Sequence, residues 1–179
     1  TLNVDDSGTG GLAGVASITN VGNTTFTSFF GESFTAPTTR LANFAPASID
    51  YFHNNYSGGT FAGLPNNLDF LNVLASTGAD TINVNATTAT NMTTIDAYTG
   101  SDANTVAING DGLSADNLFL GNTGDDRFVL NITADLGASA VFPISSLRIE
   151  GNADSGFGGA AFDLRDRLEI NDNSGGGQV

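Results

Sequence analysis

Three short stretches share one design: Thr77-Gly78-Ala79-Asp80-Thr81-Ile82, Thr99-Gly100-Ser101-Asp102, and Thr123-Gly124-Asp125-Asp126-Arg127-Phe128. Each couples a glycine to an aspartate, and the first and third lead straight into an apolar run. The glycines lie 22 and 24 residues apart. A recurrence of this length implies stacked structural repeats that share a core with their neighbours. Stacking also aligns the carboxylates. Two carboxylates one strand spacing apart (~4.8 Å) repel by roughly 3–4 kcal/mol at an effective dielectric near 20. Such a column favours a bound cation, and an all-oxygen ligand set favours calcium.

Working outward, short apolar strands fall at Phe70–Leu74, Ile82–Val84, Thr94–Ala97, Val106–Ile108, Leu118–Leu120 and Phe128–Ile132. They are β-branched or aromatic and partly alternating. Leu71 matches Ile95, Ile82 matches Val106, Ile95 matches Leu118, and Val106 matches Phe128, at spacings of 22 to 24. Every second strand therefore corresponds, which requires at least two strands per repeat. Leu147–Ile149 and Leu168–Ile170 continue the series, with a degraded turn at Gly151–Gly156 between them. The expected fold is an all-β parallel β-solenoid (a β-roll or β-helix) in one unit, 1–179. Regular coils would occupy 67–179. Residues 11–66 hold seven of the 13 phenylalanines and show no clean period. They read as an irregular cap or assembly region, with strands at Val15–Val21 and Thr24–Phe30. A jelly-roll-like sandwich is the rival architecture.

The chain carries a net charge of -14, from 19 acids against five arginines, and no lysine. Sixteen of the acids are Asp, a turn residue and a weaker helix former than Glu. With no basic patch to displace counterions, nucleic acid is excluded as a partner. No apolar run is long enough to span a membrane. There is no cysteine, so disulfides are excluded. No leader opens the chain at Thr1, which therefore reads as a processed product or a segment of something longer. Arg167-Leu168-Glu169-Ile170-Asn171-Asp172 near the end resembles Leu2-Asn3-Val4-Asp5-Asp6 at the start. That return to the starting phase is expected of a tandem array, or of copies stacking head to tail.

The turns resemble the RTX nonapeptide family, Gly-Gly-x-Gly-x-Asp-x-U-x, best at Gly78–Ile82 and Gly121–Phe128. The resemblance implies calcium held by turn carbonyls and aspartates between successive coils. The chain departs from the family in lacking most leading glycine pairs and in its period near 23. The wider texture is similar to units of very large repetitive bacterial exoproteins that serve as adhesins, surface fibres or coats. It implies an extracellular or cell-surface location.

The candidate calcium ligands are Gly78, Asp80, Gly100, Asp102, Gly124, Asp125, Asp126 and Asp154, with Asp5, Asp6 and Asp172 as a second set at a unit junction. The competing reading is that Asp simply caps its own turn. Only Arg127 lies near enough in sequence to neutralise the column. Asn72, Asn83, Asn85, Asn109 and Asn131 sit in or at strands, where stacked amides bond along a ladder. Asn109-Gly110-Asp111-Gly112 reads as a turn, since an EF-hand loop would end in a bidentate Glu. Catalysis finds little support: His53 stands alone in the sequence, and Asp163 and Asp166 alternate with Arg165 and Arg167 as surface ion pairs. The expectation is a non-enzymatic, calcium-stabilised structural protein whose partner is itself and which builds a filament, adhesin stalk or surface layer. Surface glycans are possible further partners. The alternative is a secreted protein that binds or cleaves carbohydrate.

Overall fold

The computed structural model describes residues 1–6, 14–27, 29–44, 47–52, 68–88, 91–97, 103–121, 124–133, 144–151 and 166–173. Twelve strands lie within them: β1 (Leu2–Asp5), β2 (Ala16–Thr27), β3 (Ser33–Ala42), β4 (Ile49–Phe52), β5 (Phe70–Leu74), β6 (Thr81–Val84), β7 (Met92–Asp96), β8 (Thr105–Asn109), β9 (Ala115–Leu120), β10 (Arg127–Ile132), β11 (Ile144–Glu150) and β12 (Arg167–Asp172). A 3-10 turn, Gly110–Gly112, follows β8.

From β5 onward, successive strands alternate between two sheets. The first sheet has the order β1-β5-β7-β9-β11 and is parallel throughout. The second has the order β12-β10-β8-β6-β2-β3-β4. It is parallel from β12 to β2, then antiparallel from β2 to β3 and from β3 to β4. The inward residues of both sheets meet in one core. Leu71, Val73, Ile95 and Phe119 come from the first sheet; Ile18, Ile82, Val84, Val106, Ile108 and Phe128 from the second.

The expectation of a parallel β-solenoid is overturned. The second sheet is mixed, and its antiparallel strands β2, β3 and β4 are the elements a parallel solenoid does not contain. The reason is local. Thr24-Thr25-Phe26-Thr27 and Ser33-Phe34-Thr35 flank a tight reversal at Phe29-Phe30-Gly31, where Gly31 takes φ 81°. The hairpin pairs ten residues of β2 with ten of β3. It is a continuous β2, where two separate strands were expected.

Register follows the sequence spacing in the second sheet, where Ile82, Val106 and Phe128 align. In the first sheet it is displaced. Leu71 faces Thr93, and Ile95 faces Val73 and Phe119. Thr93 is fully buried and occupies an inward position that apolar matching would give to an aliphatic residue. Its hydroxyl has no hydrogen-bond partner. Leu118 points away from the core that Phe119 fills.

Phe119 is 0% exposed and sits on the inner face of β9, flanked by β7 and β11 in the first sheet. Phe119→Ala is expected to lower unfolding free energy by about 3–5 kcal/mol in denaturant titration, the usual cost of emptying a packed aromatic site. Leu168→Ala, on a half-exposed side chain of the last strand, is expected to change it by less than about 1 kcal/mol. Equal losses would refute this placement of the core.

Candidate functional site

Each of four strands in the second sheet is entered through an Asp or Asn and left through an Asn five residues later. The pairs are Asp80 and Asn85, Asn104 and Asn109, Asp126 and Asn131, Asp166 and Asn171. Parallel pairing stacks the entering residues into a column. The backbone N–H of Asp80 donates to Asn104 Oδ1 at 3.0 Å. That of Asn104 donates to Asp126 Oδ1 at 3.0 Å, and that of Asp126 to Asp166 Oδ1 at 3.0 Å. The same rungs are bonded again through their carbonyls. Thr105, Arg127 and Arg167 donate their N–H groups to the carbonyls of Asp80, Asn104 and Asp126, each at 2.8 Å.

The column lies where the first sheet's strands turn into the second's. Asp80, Asn104 and Asp126 are 3%, 2% and 1% exposed. Burial at that depth demands that polar atoms be paired. Ser76 donates its hydroxyl to Asp80 Oδ2 at 2.7 Å. Asn104 Nδ2 adds a second donor to Asp126 Oδ1 at 2.9 Å. Asp126 Oδ2 is buried with no partner. It rests over Gly121, where a Cβ would fall onto the carboxylate, and Gly151 makes the same room for Asp166. Burial pushes the Asp126 carboxyl up to about 6; Asn104's hydrogen bonds oppose that rise, and the charges of Asp166 and Asp125 add to it.

The column gathers two of the expected ligands, Asp80 and Asp126. Asp80 Oδ2 accepts from Ser76 and Asp126 Oδ1 from Asn104, while Asp126 Oδ2 has no partner. Asn104 stands between them and reduces the like-charge repulsion on which the calcium expectation rested. Among the described residues no three acidic or histidine side chains converge on one point. The described members of the set do not by themselves make a calcium cage. Gly78 lies in the turn before Asp80; Gly124, at φ 121°, precedes the exposed Asp125 beside the column. Gly100, Asp102 and Asp154 lie outside the described residues. Asp5 and Asp6 are at the β1 end of the first sheet and Asp172 is on β12, at the opposite end of the fold. A single chain does not bring that second set together.

Asn104 and Asp166 escape a reading anchored on Gly-Asp pairs, because neither follows a glycine by two. The recurring five-residue bracket around each strand is the signal that finds them. Asp166 belongs to the column, where it accepts the Asp126 N–H. Arg167 and Arg127 both bind Glu169, at 2.8 and 2.7 Å, so Arg127 does not neutralise the column. The expected amide ladder is present over a few of its rungs. Asn72 Nδ2 donates to Asn3 Oδ1 at 2.8 Å, and Asn171 Nδ2 to Asn131 Oδ1 at 3.0 Å. Asp111 extends these links by accepting the Thr133 N–H at 3.1 Å.

A second feature lies at the end of the column. Leu168 and Ile170 on β12 register with Phe128 and Leu130, which are 2% and 5% exposed. Yet Leu168 and Ile170 are themselves 52% and 59% exposed. Among the described residues the core-facing columns thus run out at β12. Comparison of the chain with protein-family models, with curated proteins and with solved structures gave no match.

Asn104→Ala orphans the Asp80 N–H and removes one of the two donors to Asp126 Oδ1, whose bond from the backbone N–H of residue 104 remains. At about 1–3 kcal/mol for one orphaned buried group, a loss of roughly 1–3 kcal/mol is expected in denaturant titration. A loss under about 1 kcal/mol would mean that the column does not hold the rungs together. The pH dependence has a fixed sign. Asp126 has a folded-state pKa of about 6, above its ordinary 3.8. Its contribution to stability is therefore fully present below the unfolded value and is lost as pH rises through about 6. Asp126→Asn keeps an oxygen for Asn104 and removes the titration. The difference in stability between wild type and this variant is expected to slope between pH 4 and pH 6, about the span of that shift; parallel curves would exclude the assignment.

Proposed function

We propose that this chain is a structural protein that joins copies of itself end to end, building a filament or layer. The observation that carries this reading is the exposure, among the described residues, of Leu168 and Ile170 at the end of the core. Full burial of such side chains is worth roughly 1.5–3 kcal/mol each, and an open sheet edge offers backbone hydrogen bonds as well. Strand direction supports the same mode. Two antiparallel steps, β2 to β3 and β3 to β4, return β4 to the direction of β12, at the other edge of the same sheet. In the first sheet, β1 and β11 are likewise parallel edge strands. A second copy placed head to tail therefore meets an edge strand of matching direction in either sheet. Such a contact joins two different surfaces and does not close on itself, which produces open-ended assemblies.

An extracellular or cell-surface setting belongs to this proposal. It rests on the likeness to repetitive exoproteins and on a cysteine-free, strongly acidic composition. The hydrogen-bonded column serves in it as the internal stiffener. No described constellation favours the carbohydrate-active alternative.

The test is Leu168→Lys with Ile170→Lys, followed by sedimentation velocity and negative-stain imaging. Wild type is expected to form particles that lengthen with concentration. The double variant is expected to remain short while its unfolding midpoint stays close to wild type, since both side chains are already half exposed. Wild-type chains that stay monomeric at every concentration would overturn the proposal.

A further inference from the structure

The β2–β3 hairpin reaches well beyond the sheet that roots it. Strand β6 pairs with β2 only at Ala16–Ile18, and β4 pairs with β3 only at Thr38–Leu41. Outward from there the two strands pair with each other, from Asn23 opposite Pro37 to Thr27 opposite Ser33. Near the tip, the rings of Phe26 and Phe34 stack with centroids 5.4 Å apart. At the tip, Phe29 and Phe30 meet edge to face at 5.6 Å and are 98% and 90% exposed. No other large apolar side chain among the described residues is as bare.

We infer that this arm is a side-to-side contact between two copies of the chain, arm against arm, with Phe29 and Phe30 of each buried on the other. Charge selects the partner. Residues 20–36 carry a single charge, Glu32, so the remainder of the chain holds -13 of the total -14. Two such bodies repel at short range, but physiological salt screens charge over about 8 Å. An arm of about six residues beyond its root, at about 3.3 Å each, sets the meeting point roughly 20 Å out. The arm has no cation with which to hold an acidic partner or a phosphate headgroup. A two-stranded ribbon is also marginal by itself, and a second ribbon turns it into a four-stranded unit with an apolar face. The contact uses the same patch on both copies and so closes as a pair. It does not rest on the end-to-end reading, because β12 lies four strands away from β2 in the second sheet.

The experiment uses the end-blocked chain, Leu168→Lys with Ile170→Lys, so that stacking and arm contact separate. Sedimentation equilibrium is expected to show a monomer–dimer equilibrium. Adding Phe29→Ser and Phe30→Ser is expected to weaken that dimer by roughly a hundredfold, the scale for losing two aromatic anchors. Because the chain has no cysteine, Phe29→Cys supplies a second reading. In the end-blocked background it is expected to give a covalent dimer under mild oxidation. A monomeric end-blocked chain, a dimer unmoved by the serine changes, or no cross-link at Cys would each overturn the inference. So would arm-dependent flotation with phosphatidylcholine vesicles in place of dimerisation, which would assign the arm to a lipid surface. Failure of wild type to lengthen, with the dimer intact, would strike the end-to-end reading alone.

Discussion

Everything in this fold depends on the parallel register of the second sheet. Ile82, Val106, Phe128 and Leu168 align because the intervening chain always makes one passage through the other sheet before returning. That register fills the core with one inward column after another, and it places Asp80, Asn104, Asp126 and Asp166 over one another. A slip of one residue would turn each apolar side chain outward and separate each N–H from the carboxylate below it. Packing and hydrogen bonding thus specify the same alignment. Agreement between independent terms is what gives a sequence one structure and not several.

The acidic composition takes on a different meaning at the column. Buried carboxylates are costly unless donors meet them, and here the donors are backbone amides of the preceding rung. Asn104 Oδ1 is satisfied in this way by the Asp80 N–H, and Asp80 Oδ2 by the Ser76 hydroxyl. Asp126 is satisfied on one oxygen only. The presence of Asn and not Asp at position 104 spares the middle of the column a charge. The arginines, meanwhile, bind exposed acids: Arg40 holds Asp50, and Arg127 and Arg167 hold Glu169. Exposed pairs of this kind contribute little to stability.

Much of this was legible in the sequence, and what was not has physical causes. The strands from Phe70 onward and the alignment of Ile82 with Val106 and Phe128 follow from spacing alone. The first sheet is displaced because a buried Thr93 takes an inward site, which no search for apolar matches would select. The mixed character of the second sheet was hidden because Thr and Phe alternate along β2 and β3 without any Asn-Gly or Asp-Gly at the reversal. In the column, Asp80 and Asp126 could be found from the Gly-Asp turns. Asn104 and Asp166 could not, because what they share with the others is a distance to the next Asn and not a neighbouring glycine.

The rungs of the column are unequally spaced along the chain. Asp80 to Asn104 spans 24 residues and Asn104 to Asp126 spans 22, but Asp126 to Asp166 spans 40. Tension applied along the stacking axis loads these hydrogen bonds lengthwise, so the rungs break singly and in succession. Separation of β12 from β10 leaves β11 paired with β9, so it frees the chain from Glu150 to Asp166, the longest such link, about 50 Å of contour at about 3.3 Å per residue. The last rung is thus a store of hidden length. A fibre built from such chains would extend and dissipate work at that rung while the shorter, tighter rungs behind it kept their shape.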